Sequence, residues 1–220
     1  MLALAGDMQS VRGMQTSHPF LADDYHIRWS TLTPDHVEAD INKGLEIAEA
    51  NLDQLRKLDV AELSYENTFE ALENASEELD RAWGRLNHLD SVCNDEDQRA
   101  ALNAALPRVT SFYAAIPLDD AIWEKLKAFS ESDAFQDLDA TRKRYVEETC
   151  ASFIQSGANL PLDKKSRIAE VQSRLSEITQ KFSENVLDST NAWELVIDDE
   201  SRLAGLPEST KAASAADAEG

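Results

Sequence analysis

The sequence predicts an all-α protein, an antiparallel helical bundle carrying one short orphan β-strand near residues 193–197. Three observations carry that reading. Long stretches repeat apolar residues at alternating spacings of three and four, the period of one helix face. Glycine and proline are scarce, at 7 and 6 of 220 residues, which argues against a turn-rich all-β chain. Only one segment switches to period two.

The first helix is expected from about Pro34 to Leu58, with Thr33 as N-cap and Pro34 at the first helical position, where its missing N–H is not needed. Val37, Ile41, Leu45, Ala48, Leu52 and Leu55 share a face, and Gly44 is a weak point in it. A second helix is expected from about Thr68 to Val92, opened by an Asn67–Glu70 capping box, with Leu72, Ala75, Leu79, Ala82, Leu86 and Leu89 as its seam. Asn94-Asp95 restarts a third, running to Ile116 with a kink or break expected at Pro107. Asp119 opens a short amphipathic piece through Phe129, and Asp139 caps the next helix, which ends at Gly157 in a left-handed C-cap. The last long helix runs from Lys164 to Leu187, with Ile168, Val171, Leu175, Ile178, Phe182 and Val186 as its core-facing set. Trp193-Glu-Leu195-Val-Ile197 then alternates bulky and other residues, the mark of a strand, and nothing else in the chain reads as its partner.

The implied layout is a flexible leader at 1–17 and a helical domain at 18–190. Residues 191–210 begin a second region whose remainder is absent, and 211–220 form a frayed tail without large apolar residues. Met8 and Met14 are alternative starts within the leader, which lacks the basic opening and long apolar run of a secretory signal.

Composition excludes several functions. Lys and Arg total 21 against 42 Asp and Glu, a formal net charge of −21 that repels nucleic acid and anionic membranes. No run reaches the roughly 18 apolar residues of a membrane span. Two cysteines, Cys93 and Cys150, cannot form a disulfide framework, and both read as small buried hydrophobes in a reducing, cytoplasmic compartment. The four histidines, His18, His26, His36 and His88, form no His-Glu-x-x-His pair, so neither a metal ligand set nor a catalytic group is expected in these residues. Paired carboxylates such as Glu77-Glu78 and Glu147-Glu148 read as solvated helix faces.

Several strings go further. His18-Pro-Phe-Leu, Thr33-Pro-Asp-His-Val37, Ser64-Tyr-Glu-Asn-Thr68 and Leu89-Asp-Ser-Val92 occur in that order. Phe153-Ile-Gln-Ser-Gly-Ala-Asn-Leu-Pro161 follows, with Arg167 behind it. Leu175-Ser-Glu-Ile, Phe182-Ser-Glu-Asn-Val-Leu-Asp188, Trp193 and Leu203-Ala-Gly-Leu-Pro-Glu-Ser209 complete the series. Together they resemble the opening of the oligopeptidase A branch of the thimet-oligopeptidase family, zinc metallopeptidases that cleave short peptides.

The resemblance implies an almost wholly helical N-terminal part of a longer hydrolase. Its helices would form one wall of a deep channel that admits oligopeptides and excludes folded proteins. It also implies that the His-Glu-x-x-His helix and a glutamate ligand lie beyond residue 220, so this chain holds no cofactor while zinc belongs to the complete enzyme. Trp193, Leu195 and Ile197 are then the expected interface with the missing part. A second hypothesis is a free-standing acidic scaffold or adaptor whose seams bind partner helices, and a third is a degraded gene without function.

Overall fold

The computed structural model describes residues 18–93 and 95–218. The expectations for the leader, for Asn94 and for the last two residues lie outside them. Among the described residues the regular structure is helical, and no strand occurs. The strand expected at 193–197 is therefore corrected: residues 193–199 run without regular structure. A lone strand leaves its ladder N–H and C=O groups unpaired, so alternation of side chains alone cannot hold it.

The chain divides between Gln180 and Lys181 into two compact units. In the first, short 3₁₀ turns at Pro19–Leu21 and Trp29–Thr31 lead into α1 (Pro34–Arg56). A π-helical turn at Glu66–Glu70 leads into α2 (Ala71–Asn74), and α3 (Glu77–Val92) and α4 (Glu96–Ala115) follow. A 3₁₀ turn at Ile116–Leu118 precedes α5 (Asp120–Ser130), α6 (Asp133–Gln136) and α7 (Ala140–Ser156). Helix α8 (Leu162–Asn191) starts in the first unit and ends in the second, which also holds the 3₁₀ turn Glu200–Leu203 and α9 (Glu208–Ala218).

Helix α1 serves two cores because its apolar face is long enough to reach both. Its N-terminal half packs on α3 and α4, where Val37, Ile41 and Ala48 meet Leu79, Ala82, Leu86, Leu102, Ala105 and Val109. Its last turns carry Leu52 and Leu55 into a second cluster with Phe69, Ile122, Leu126, Phe129, Val146 and Phe153. Each fully buried large side chain contributes about 1.5–3 kcal/mol. Gly44 has a packing reason: a Cβ there would stand 3.1 Å from Leu79 Cα, so the missing side chain lets α1 and α3 approach closely.

Local chemistry sets the helix ends. Asp119 accepts the N–H groups of Ala121 and Ile122 and opens α5; Asp139 accepts those of Thr141 and Arg142 and opens α7. Gly157 ends α7 at φ 110°, a conformation that suits glycine. The expected Asn67–Glu70 box is displaced by one turn. The Ser64 N–H donates to Asn67 Oδ1 (2.8 Å) and the Asn67 N–H to Ser64 Oγ (3.1 Å). The second expected helix is also not continuous: it is interrupted at Ala75 and Ser76, and α3 starts anew at Glu77. Helix α4, by contrast, passes through Pro107 without a break. Leu102, Ala105 and Val109 are buried on either side of it, and their packing offsets the lost ladder bond.

Candidate functional site

The N-terminal segment is tied to the body by a buried polar cluster. Asp40 stands three residues after Val37 on the buried face of α1 and is wholly inaccessible. Its carboxylate accepts the Phe20 N–H at 2.7 Å and lies 2.8 Å from His18 Nδ1. Burial pushes the Asp40 carboxyl above its ordinary range, against the pull of the Phe20 N–H and His18. On α3, Arg85 donates to the Phe20 carbonyl at 2.8 Å and Arg81 to the Leu21 carbonyl at 3.2 Å. Burial holds the Arg85 guanidinium below its usual range, with Arg81 adding to the effect. The cluster is structural: it satisfies the Phe20 N–H and the Phe20 and Leu21 carbonyls.

The histidines do not converge. His36 Nδ1 lies 2.9 Å from Thr33 Oγ1, so the cap hydroxyl is taken by the ring rather than by a backbone N–H. His88 lies against Trp29 and His26 against Tyr25, each with ring centroids 4.9 Å apart. Among the described residues no three His, Cys, Asp or Glu side chains could share a metal ion. Cys93 is exposed rather than buried, because α3 ends at Val92 and its seam stops at Leu89. Cys150 is half-buried, and burial raises its thiol above the ordinary range.

The Ser156–Pro161 segment seats α8. The Ala158 N–H returns to the Phe153 carbonyl at 2.9 Å, and Trp123 Nε1 donates to Asn159 Oδ1 at 2.9 Å. Lys165, almost fully buried, donates to the Leu118 carbonyl at 3.0 Å and to Asp120 at 2.5 Å. Farther along, Ser176 Oγ pairs with Thr110 Oγ1 of α4 at 2.8 Å. Within the first unit, then, α8 is bonded to the body through Lys165 and Ser176, with Gln172 on the same, mostly polar side.

Its apolar residues lie roughly a third of a turn away from that side. Leu175, expected in the core, is 60% exposed, and Val171 and Ile178 are about half exposed. Ile168 does turn inward, its Cδ1 standing 3.0 Å from where a Cβ on Gly157 would be. Beside the outward stripe runs an open groove of about 370 Å³ between α3, α4 and α8, lined by Trp83, Leu106, Tyr113, Leu175 and Thr179. Gln172 Oε1 and Gln180 Nε2 border it, buried and without a hydrogen-bond partner among the described residues. Arg167 and Arg174 follow the other edge of the stripe, held to Glu170 and Glu177 at 2.8 and 2.6 Å.

In the second unit Phe182 and Val186 are likewise exposed, Trp193 and Leu195 are 70% and 62% exposed, and Ile197 is half-buried. Sequence periodicity found the α8 stripe but assigned it to the inside. The usable signal was the body side itself, where Lys165, Gln172 and Ser176 recur at helical spacing. Asp40 was missed too, although an acid three residues after Val37 and four before Gly44 marks a buried position.

No helix among the described residues is long and apolar enough to cross a membrane. Residues 41–165 match the family Neurolysin/Thimet oligopeptidase, N-terminal domain. The chain is 31% identical over 206 residues to oligopeptidase A of Haemophilus influenzae, covering 94% of the chain and 30% of that protein. It is 30% identical over 191 residues to oligopeptidase A of Escherichia coli, covering 87% and 28%. A probable cytosolic oligopeptidase A of Arabidopsis thaliana is 32% identical over 194 residues, covering 88% and 27%. The chain thus spans less than a third of the length of these curated relatives.

Proposed function

The chain belongs to the neurolysin and thimet oligopeptidase family as an N-terminal region of the oligopeptidase A type, and from that premise we propose that it forms the channel wall of a cytoplasmic metallo-oligopeptidase. The match of residues 41–165 to an N-terminal domain carries the reading. In this proposal the helices pack as an antiparallel bundle that lines one side of a deep channel. Short peptides enter, and folded proteins are too wide. The complete enzyme hydrolyses them with zinc held by residues outside this chain, and no step of that reaction is assigned to a side chain described above. Trp193, Leu195 and Ile197 belong to the contact with the remainder of the enzyme, a role supported by the exposure of the first two. The cytoplasmic location is supported by the probable cytosolic Arabidopsis relative.

Two preparations test the reading. The 220-residue chain alone should bind no zinc stoichiometrically and cleave no short fluorogenic peptide. A full-length chimera, in which it replaces the 191 matched residues of the Escherichia coli protein, should cleave such peptides and spare folded proteins. Chelator-sensitive cleavage by the isolated chain, or a folded chimera without peptidase activity, would sink the proposal. The adaptor reading predicts instead a chain that captures a partner helix and adds nothing to the chimera.

A further inference from the structure

We infer that the outward stripe of α8 in the first unit, Val171, Leu175 and Ile178 with the adjoining Trp83–Tyr113 groove, is a docking surface for the polypeptide that follows this region in full-length oligopeptidase A relatives. The inference rests on the functional reading above and names the surface that joins the two parts. It extends the expected interface from the 193–197 segment to a helix face in the body of the first unit.

An amphipathic helix on a self-sufficient body turns its apolar stripe inward. Here the inward side is mostly polar: Lys165 donates to the Leu118 carbonyl and Asp120, and Ser176 pairs with Thr110, with Ile168 as its apolar member, while Val171, Leu175 and Ile178 face out. Rolling the helix to bury the stripe would break those bonds and leave the Lys165 ammonium without its partners. The seating is therefore specific, and the stripe is left for another surface. The groove beside it extends that surface onto α3 and α4.

The occupant follows from length and charge. The relatives are more than three times as long as the region matched here, so a large polypeptide adjoins it in them. A second copy of the chain is disfavoured, since each copy carries −21 and antiparallel pairing of two stripes would set the Arg167 and Arg174 edges against each other. Those two guanidiniums instead suit an apolar patch bordered by carboxylates. Their exposed bonds to Glu170 and Glu177 are weak enough to be exchanged.

The test uses the full-length chimera with Leu175→Cys and compares it with the dilute 220-residue chain carrying the same substitution. Alkylation at position 175 is followed by mass spectrometry of its peptide and normalised to the rate in denaturant. Burial predicts a rate at least about tenfold slower in the chimera. Equal rates in a chimera that cleaves peptides would overturn the docking surface and leave the peptidase reading intact. Protection in a folded but inactive chimera would keep the surface and overturn the reading. Protection that grows only with concentration, in step with dimer formation, would make a second copy the occupant and overturn the inference. A chimera that fails to fold counts against it as well, because the inference requires this face to accept the adjoining polypeptide.

Discussion

Asp40 shows how much one side chain decides. It sits on an apolar helix face, yet the Phe20 N–H and His18 make it the anchor of the N-terminal segment. Its carboxyl is raised, so between the ordinary carboxylate value and the folded one the native state holds more protons than the unfolded chain. Stability contributed by this group therefore falls as pH rises through that window. Replacing Asp40 with Asn should flatten that component, so the stability of wild type relative to Asp40→Asn, measured by urea unfolding, should decline from pH 4 upward. A difference that rises with pH would reverse the sign assigned here. Gly44 gives a second residue-scale expectation. Alanine is the better helix former, but its Cβ would meet the Leu79 backbone at 3.1 Å. Gly44→Ala should cost about 1–3 kcal/mol by overpacking, whereas a stabilised variant would show that α1 and α3 can separate freely. Asp139 and Gly157 were legible in the sequence, because caps and left-handed turns are decided within a few residues. Cys93 was misread, since its exposure depends on where the neighbouring helix stops.

At the scale of elements, the long helices were largely legible, with boundaries shifted by only a few residues, whereas α6 was not expected and α9 is helical through Ala218 where a frayed tail was expected from residue 211. The other exceptions share a cause. The Ser64–Asn67 box displaced the expected one because two caps compete locally, and packing of Phe69 into the second core selects between them. The strand at 193–197 failed because pairing is not a property of one segment. Helix α8 was found, but its orientation was not, since periodicity identifies an apolar face without saying what it faces. The pair Leu79 and Leu175 makes this measurable. Leu79→Ala should destabilise the chain by about 2–5 kcal/mol, and Leu175→Ala by less than about 0.5 kcal/mol, both read from thermal or urea melts. Comparable losses at the two positions would return Leu175 to the core.

For the whole molecule, net charge and exposed apolar surface oppose each other. A charge of −21 keeps copies apart at low ionic strength, and salt shortens that repulsion from about 30 Å at 0.01 M to about 8 Å at 0.15 M. The isolated chain should therefore self-associate more as salt is added, and Leu175→Asp should suppress the effect in sedimentation velocity. An average mass independent of both salt and protein concentration would show that the exposed residues are not adhesive. What could be read from the residues alone was the helical class, the charge, most caps and the family resemblance, because each depends on local spacing or on a string of side chains. What required the folded chain was the inward seat of Lys165, the buried Asp40 anchor and the outward turn of Val171, Leu175 and Ile178. Those depend on which distant groups satisfy a given hydrogen bond, and one-dimensional periodicity carries no record of that choice.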